Sequence, residues 1–107
     1  SGVCLYGRNV EDPSQLRALT DAIRERIGQD ALVCCDLEGG YVWRLKAPAT
    51  HWPSAMAFGA ADRPDLTRRA ATMAAREMRA MGIDAPFAPV PVNGVVKRTV
   101  ALPAIWM

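Results

Sequence analysis

The segment with the most potential for chemistry is CCDLEGGYVWR, residues 34–44. It combines two acids, Asp36 and Glu38, with a pair of glycines and with Arg44. Carboxylates accept hydrogen bonds from a polyhydroxylated or cationic ligand, and a guanidinium group donates from a planar fork. These residue types predict a polar binding site. Structural alternatives stay open: Asp36 can cap neighbouring amides, Arg44 can form an ion pair with either acid, and the glycines can serve a tight turn.

Apolar runs on both sides of this segment indicate how it is held. The run GVCLY, residues 2–6, predicts a strand buried on both faces, and Asp12 then opens a helix that ends at Gly28. A second buried strand is expected over residues 31–35. A long loop is expected over residues 36–53, and loops of that length in a small domain are often functional.

The second half of the chain repeats this alternation. A short helical turn is expected at residues 54–59, and a long helix is predicted from Pro64 to Met81, with Asp62 as its cap and an apolar face that suits core packing. A third strand is expected at Ile83–Val90, where prolines place it at an edge, a bulge or a strand end. Alternating strands and helices favour the α/β class with parallel strands.

The ends of the first two predicted strands carry polar side chains. Arg8 and Asn9 follow the first strand, and Asp36 and Glu38 follow the second. Parallel strands bring their carboxyl ends to one edge, where ligands bind in both barrels and doubly wound sheets. The sequence therefore predicts one polar rim, over which Arg44 can fold back.

The composition narrows the class of function. The chain has 107 residues, 50% of them hydrophobic, with a formal net charge of +2 and no block of like charge. This suits one small domain and favours neither a nucleic-acid partner nor a membrane partner. No apolar run is long enough to span a bilayer and no secretory pattern opens the chain, so a cytoplasmic location is the expectation. No phosphate-binding glycine motif is present.

The cysteines and the histidine favour no metal or nucleophile site. Cys4, Cys34 and Cys35 all lie in the apolar runs, where cysteine usually acts as a small buried hydrophobe. Their odd number and their spacing predict neither a disulfide framework nor a zinc site. His51 has no nucleophile pattern near it, so a general-base role is not favoured. The aromatic residues of the loop are expected to pin it to the domain.

Four segments resemble glycoside hydrolase family 3, in particular its bacterial β-N-acetylglucosaminidase branch. They are GVCLYGRNVEDPSQLRALTDAIR, LVCCDLEGGYVWRL, PATHWPSAMAFGA and AAREMRAMGIDAPFAPV, in family order over about residues 2–90. The second is similar to the family signature VDQEGGRVQRL. The resemblance implies a TIM-type (β/α)8 barrel. Residues 1–107 would form a single incomplete domain with about three parallel strands, corresponding to strands two to four, and two long helices.

The resemblance also implies which residues contact substrate. The first acid of the signature holds hydroxyl groups of the sugar, which implies a substrate-binding role for Asp36. The arginine that closes the signature contacts the same sugar, which implies the same role for Arg44. Arg98 is a looser match to a later sugar-binding arginine. Three positions depart from the family signature and bear on specificity: Leu37, Tyr41 and Trp43.

The resemblance places the catalytic groups elsewhere. Retaining glycosidases need a nucleophile and a proton donor about 5 Å apart, and in this family both come from later strands. The chain is thus expected to hold no catalytic pair, no metal and no cofactor, and to be inactive alone. The intact enzyme would cleave terminal β-linked N-acetylglucosamine from glycans. The alternative is a non-catalytic α/β module that associates with another chain through open strand edges and the apolar tail at residues 101–107.

Overall fold

The structure is a computed structural model that describes residues 1–88. Its elements in chain order are β1 (Gly2–Leu5), a 3-10 turn (Gly7–Asn9), α1 (Pro13–Ile27), β2 (Leu32–Gly39), β3 (Val42–Trp43), α2 (Ala55–Ala61), α3 (Pro64–Ala80) and β4 (Ala85–Phe87). The mixed α/β class predicted from the sequence is confirmed. Arg98 and the apolar tail at residues 101–107 lie outside the described residues.

Strand β2 is the centre of the sheet. It pairs in parallel with β1 and with β4, and its last residues pair with β3 in an antiparallel hairpin. Cys34 is the partner of Cys4 in β1 and also of Ala85 in β4. Because one residue of a strand reaches a different neighbour on each edge, β1 and β4 lie on opposite edges of β2.

Helix α1 begins and ends where the sequence predicts. The Asp12 side chain accepts a hydrogen bond from the backbone N–H of Gln15 at 2.9 Å, and Pro13 occupies the first turn. The Gln15 side chain closes the same end by accepting from the N–H of Glu11 at 3.0 Å. Gly28 ends the helix with a φ of 115°, a conformation that favours glycine.

The start of α3 differs from the prediction that Asp62 caps it. Asp62 instead ends α2 in the left-handed conformation, with a φ of 44°, and Arg63 precedes α3 without a side-chain cap. The reason is that α2 runs to Ala61 and leaves no separate loop in which Asp62 could turn toward α3. The predicted short helical turn is confirmed as α2, capped by Ser54. No helix within residues 1–88 has the length and apolar character needed to cross a membrane.

The hydrophobic core lies between the sheet and the long helices. Its residues come from β1, α1, β2 and α3 and from the segments that follow β1, β3 and α3. They are Leu5, Val10, Leu16, Val33, Cys35, Leu37, Leu45, Met78, Met81 and Ile83. The predicted apolar face of α3 is buried at Ala70 and Met78. Leu66 and Met73 on the same predicted face are exposed, because no described element covers them.

A charged network fixes β4 beside β2. One carboxylate oxygen of Asp84 accepts a hydrogen bond from the N–H of Val33 at 2.8 Å and from the Arg24 guanidinium at 2.6 Å. Arg24 also donates to the carbonyl of Gly82 at 2.9 Å. The end of α1 is therefore tied to the turn before β4 and to the start of β2.

The second face of the sheet is open. The sequence predicts that the first two strands are buried on both faces, but Gly2, Cys4 and Leu32 are exposed. Leu32 keeps 53% of its surface accessible and Phe87 keeps 52%. The prediction of two covered faces is therefore wrong for residues 1–88, in which both long helices contribute to the core on one side.

Candidate functional site

Asp36 lies within a strand and not in a loop. The sequence predicts a loop from residue 36, whereas β2 continues to Gly39 and is followed by a hairpin. The burial of β2 alternates along this stretch, since Leu37 and Gly39 are buried while Asp36 and Glu38 are partly exposed. The prediction is wrong because Asp36 ends the apolar run but not the strand: β2 continues past it, and Asp36 occupies the open face of this longer strand.

The hairpin turns the chain back along β2 just before Arg44. Leu37 is the partner of Trp43 across the two strands, and Arg44 is the next residue of the chain. The Arg44 Cδ lies 3.6 Å from the position that a Cβ on Gly7 would take, so its side chain reaches the turn after β1. The predicted folding back of Arg44 toward the strand ends therefore has a structural basis.

The charges of Asp36 and Arg44 both act on the pKa of the Cys35 thiol. Burial is the main reason that the pKa of Cys35 is raised to about 11, and the charges of Cys4 and Asp36 raise it further. The positive charge of Arg44 acts in the opposite direction and lowers this pKa. The two effects have opposite signs because the two side chains carry opposite charges.

Neither charged group is used by the fold itself. Within residues 1–88, Asp36 and Arg44 take part in no ion pair and no side-chain hydrogen bond, and the Nε of Arg44 is buried without a partner. The alternatives of a structural ion pair for Arg44 and of amide capping by Asp36 therefore find no support among these residues. Two groups of opposite charge remain available to a ligand.

The double glycine has a structural role. Gly39 and Gly40 have φ values of 85° and 60°, which agrees with the tight-turn alternative. A side chain on Gly39 would collide with the carbonyl group of Pro53. The N–H of Gly40 donates to the carbonyl of Trp52 at 2.9 Å. The glycines thus let the chain at residues 52–53 cross closely over the base of the hairpin.

Two aromatic rings hold the segment that follows the hairpin. The indole of Trp43 stacks on the imidazole of His51, with ring centroids 6.0 Å apart and planes at 10°. The Nε2 of His51 lies 2.6 Å from the carbonyl oxygen of Gly40, which accepts its hydrogen bond. These contacts agree with the expected pinning role and give His51 a structural task. Tyr41, at the tip of the hairpin, is fully exposed and pins nothing.

Buried N–H groups surround the hairpin. Three side-chain nitrogens are buried without a hydrogen-bond partner among the described residues: Trp43 Nε1, Arg44 Nε and Trp52 Nε1. Buried polar groups in folded proteins nearly always have a partner, whether protein, water or ligand. The two indole donors are not among the site residues predicted from the sequence. The sequence does carry a signal for them, namely a tryptophan next to a polar strand end. When such a tryptophan is buried, its indole N–H group needs a hydrogen-bond acceptor.

The residues after β1 play smaller parts at the rim. The Asn9 side chain accepts a hydrogen bond from the N–H of Tyr6 at 2.9 Å and so closes the 3-10 turn. The Arg8 guanidinium lies 5.2 Å from the centre of the Tyr6 ring. Of the two rim residues predicted after the first strand, Asn9 is therefore structural, while Arg8 packs against an exposed ring.

Comparison with known families and proteins gives consistent matches. The family described as Glycosyl hydrolase family 3 N terminal domain matches residues 1–96. A beta-hexosaminidase of Glaesserella parasuis serovar 5 is 39% identical over 90 residues, which is 84% of this chain and 26% of that protein. A beta-hexosaminidase of Pasteurella multocida is 36% identical over 95 residues, which is 84% of this chain and 27% of that protein. The chain thus spans about a quarter of the length of these curated relatives.

Solved structures share the fold of most of the chain. NagZ from Neisseria gonorrhoeae, in complex with N-trifluoroacetyl-D-glucosamine, superimposes with a TM-score of 0.72 at 28% identity, over 82% of this chain and 28% of that one. A fungal multi-domain GH3 beta-N-acetylglucosaminidase gives a TM-score of 0.76 at 28% identity, over 83% of this chain and 11% of that one.

Proposed function

Because the chain belongs to the glycosyl hydrolase family 3 N-terminal domain family, we propose that it is part of a retaining β-N-acetylhexosaminidase-like enzyme and carries part of its sugar-binding rim. The proposed substrate is a glycan that ends in β-linked N-acetylglucosamine. The observation that carries the proposal is the hairpin at the end of β2, which Arg44 directly follows, together with the lack of any ion pair or side-chain hydrogen bond of Asp36 or Arg44 within residues 1–88.

The chemistry of the two residues suits a sugar. Each hydroxyl group of a sugar both donates and accepts a hydrogen bond. Asp36 offers acceptor oxygens to hydroxyl protons, and Arg44 offers donors to hydroxyl oxygens. Both are partly buried, which strengthens hydrogen bonds to charged groups relative to full exposure to water. Arg98 is proposed as a further contact, on the strength of the resemblance.

The sheet supports a place within a (β/α)8 barrel. We propose that β1, β2 and β4 are three successive barrel strands, because β2 pairs in parallel on both edges and the core covers only one face. In a closed barrel the open face would line the interior. We assign no catalytic pair to the chain, since the resemblance puts both groups on other strands. The proposed location is the cytoplasm, where free thiols such as those of this chain remain reduced.

Binding of N-acetylglucosamine to the 107-residue chain tests the proposal. A hydrogen bond to a charged group is worth about 2 kcal/mol, so Asp36→Asn is expected to weaken binding roughly 30-fold in a calorimetric titration. The matched control is Asp21→Asn, which removes a carboxylate from an exposed ion pair on α1 and should leave affinity unchanged. Equal affinity in all three proteins would contradict the proposed role of Asp36.

Hydrolysis tests the absence of a catalytic pair. The chain is expected to release no chromophore from a chromogenic β-N-acetylglucosaminide. Turnover that disappears in Asp36→Asn would show that the catalytic groups lie within these residues and would overturn that part of the proposal.

The second candidate function is a non-catalytic module that associates with another chain. The observation in its favour is the open face of the sheet, on which Leu32 and Phe87 stay about half exposed. Sedimentation velocity separates the candidates. A single monomeric species over a wide concentration range would argue against self-association, whereas a concentration-dependent larger species that forms without sugar would favour it.

A further inference from the structure

The segment at residues 50–53 crosses the base of the hairpin formed by β2 and β3, and several contacts join the two. The Nε2 of His51 lies 2.6 Å from the carbonyl oxygen of Gly40, and the N–H of Gly40 donates to the carbonyl of Trp52 at 2.9 Å. The imidazole of His51 also stacks on the indole of Trp43. Because β3 is only two residues long, the hairpin is held by this crossing segment as well as by its own strand pairing.

Helix α3 holds the crossing segment in turn. The hydroxyl group of Thr50 donates a hydrogen bond to the Oε1 of Glu77 at 2.6 Å. A hydrogen bond to a carboxylate is stronger than one between neutral groups. Glu77 lies in the last turn of α3, and the next residue, Met78, is buried in the core. Glu77 therefore ties the crossing segment to a part of the helix that the core fixes.

The second carboxylate oxygen of Glu77 does not contribute to this tie. The Oε2 is buried and has no hydrogen-bond partner within residues 1–88. Taking a carboxylate oxygen out of water costs free energy, and the bond from Thr50 offsets only part of that cost. The net contribution of Glu77 to stability is therefore expected to be small, and its effect on the position of the crossing segment is expected to be the larger one.

We propose that Glu77 is a positioning residue for the sugar-binding rim: through Thr50 it fixes the crossing segment, and through that segment it holds the hairpin that Arg44 directly follows. Since Arg44 is the neighbour of Trp43, a shift of the ring that stacks on Trp43 also shifts the backbone that carries Arg44. Each contact from Glu77 to the hairpin joins two residues of the described chain, so none depends on which surfaces a complete barrel would cover.

Amide hydrogen exchange of the 107-residue chain tests whether the tie holds the hairpin. Thr50→Val removes the hydroxyl donor with little change in volume, and its matched control Thr72→Val removes a hydroxyl that donates to the carbonyl of Arg68 within α3. The N–H of Gly40 is expected to exchange about fivefold faster in Thr50→Val, which corresponds to about 1 kcal/mol. Its rate should be unchanged in Thr72→Val. The N–H of Val33, near the start of β2, should keep its rate in both variants.

Two substitutions of Glu77 separate positioning from packing. Glu77→Gln keeps an oxygen that accepts from Thr50 and should leave the exchange of Gly40 unchanged, whereas Glu77→Ala should reproduce Thr50→Val. The tautomer of His51, read from its ring nitrogens by NMR at a pH where the ring is neutral, gives a second measure. The bond to Gly40 requires the proton on Nε2, so this tautomer should dominate in the unsubstituted chain and in Glu77→Gln and should be less populated in Glu77→Ala.

The effect on sugar binding rests on the proposed function, and the effect on the hairpin does not. Thr50→Val and Glu77→Ala should weaken N-acetylglucosamine binding by up to about fivefold, and Glu77→Gln should bind as the unsubstituted chain does. Unchanged Gly40 exchange in Thr50→Val, or an equal acceleration at Val33, would overturn the inference, as would full affinity in Glu77→Ala. If the unsubstituted chain binds no sugar, the proposed function fails, while the exchange rates still decide whether Glu77 holds the hairpin.

Discussion

The two faces of β2 differ in burial along the whole strand. Val33, Cys35 and Leu37 lie in the core and are at most 4% exposed. Their immediate neighbours Cys34 and Asp36 lie on the open face and are partly exposed. One strand thus carries a packed side that contributes to the core and an open side that the packing does not need.

This difference predicts that the stability of the fold depends on one side of β2 more than on the other. Burial of an apolar side chain stabilises the folded state in proportion to the area removed from water. A carboxylate on the open face contributes little to stability, since it has no partner among residues 1–88. Substitutions on the two faces should therefore change the free energy of unfolding by different amounts, even at adjacent positions.

The largest expected effect is the difference in unfolding free energy between substitutions at two adjacent residues on opposite faces of β2. Leu37→Ala removes a core side chain that is 4% exposed and should lower the free energy of unfolding by about 3 kcal/mol. Glu38→Ala, one residue further on the open face, should change it by less than about 0.5 kcal/mol. Urea denaturation followed by circular dichroism measures both. Similar losses of unfolding free energy in the two variants would contradict the division of β2 into a packed face and an open face.

A smaller effect should appear with pH at the buried thiol. Burial raises the pKa of Cys35 from its ordinary value of 9.0 to about 11. Folding therefore favours the protonated thiol, and its contribution to stability is complete below pH 9 and is lost as the pH rises through 11. The loss is on the order of 2 kcal/mol.

The variant Cys35→Ala isolates this contribution, since other groups also titrate in the same range. The difference in unfolding free energy between the chain and this variant should shrink as the pH rises from 9 to 11. If this difference in unfolding free energy stays constant over that range, the pKa of Cys35 is not raised by folding. The core side of β2 would then tolerate a charged group as the open side does.

Local signals in the sequence predicted the helices well. Asp12, Pro13 and Gly28 each act within one helical turn, and α1 begins and ends at those residues. The predicted third strand was also found, although within residues 1–88 it covers only Ala85–Phe87. Such features depend on a few neighbouring residues and so are visible in the chain itself.

Features that depend on distant contacts were predicted less well. A polar residue in a strand looks like a strand end unless the partner strands are known, which is why β2 was expected to end before Asp36. The exposure of Cys4 likewise depends on which face of the sheet the helices cover. The return of the chain to Arg44 follows from a hairpin in a segment for which the sequence predicts a loop.

The measurement that tests the central claim most directly is a titration of the isotope-labelled chain with N-acetylglucosamine, followed by NMR of the backbone amides and of the arginine Nε–H groups. Saturable shifts are expected at Asp36, Glu38 and the Nε–H of Arg44, with little change at Leu16 in the core between the sheet and the helices. Shifts confined to other parts of the chain, or none at saturating sugar, would contradict the claim that the open face of β2 forms part of a carbohydrate-binding rim.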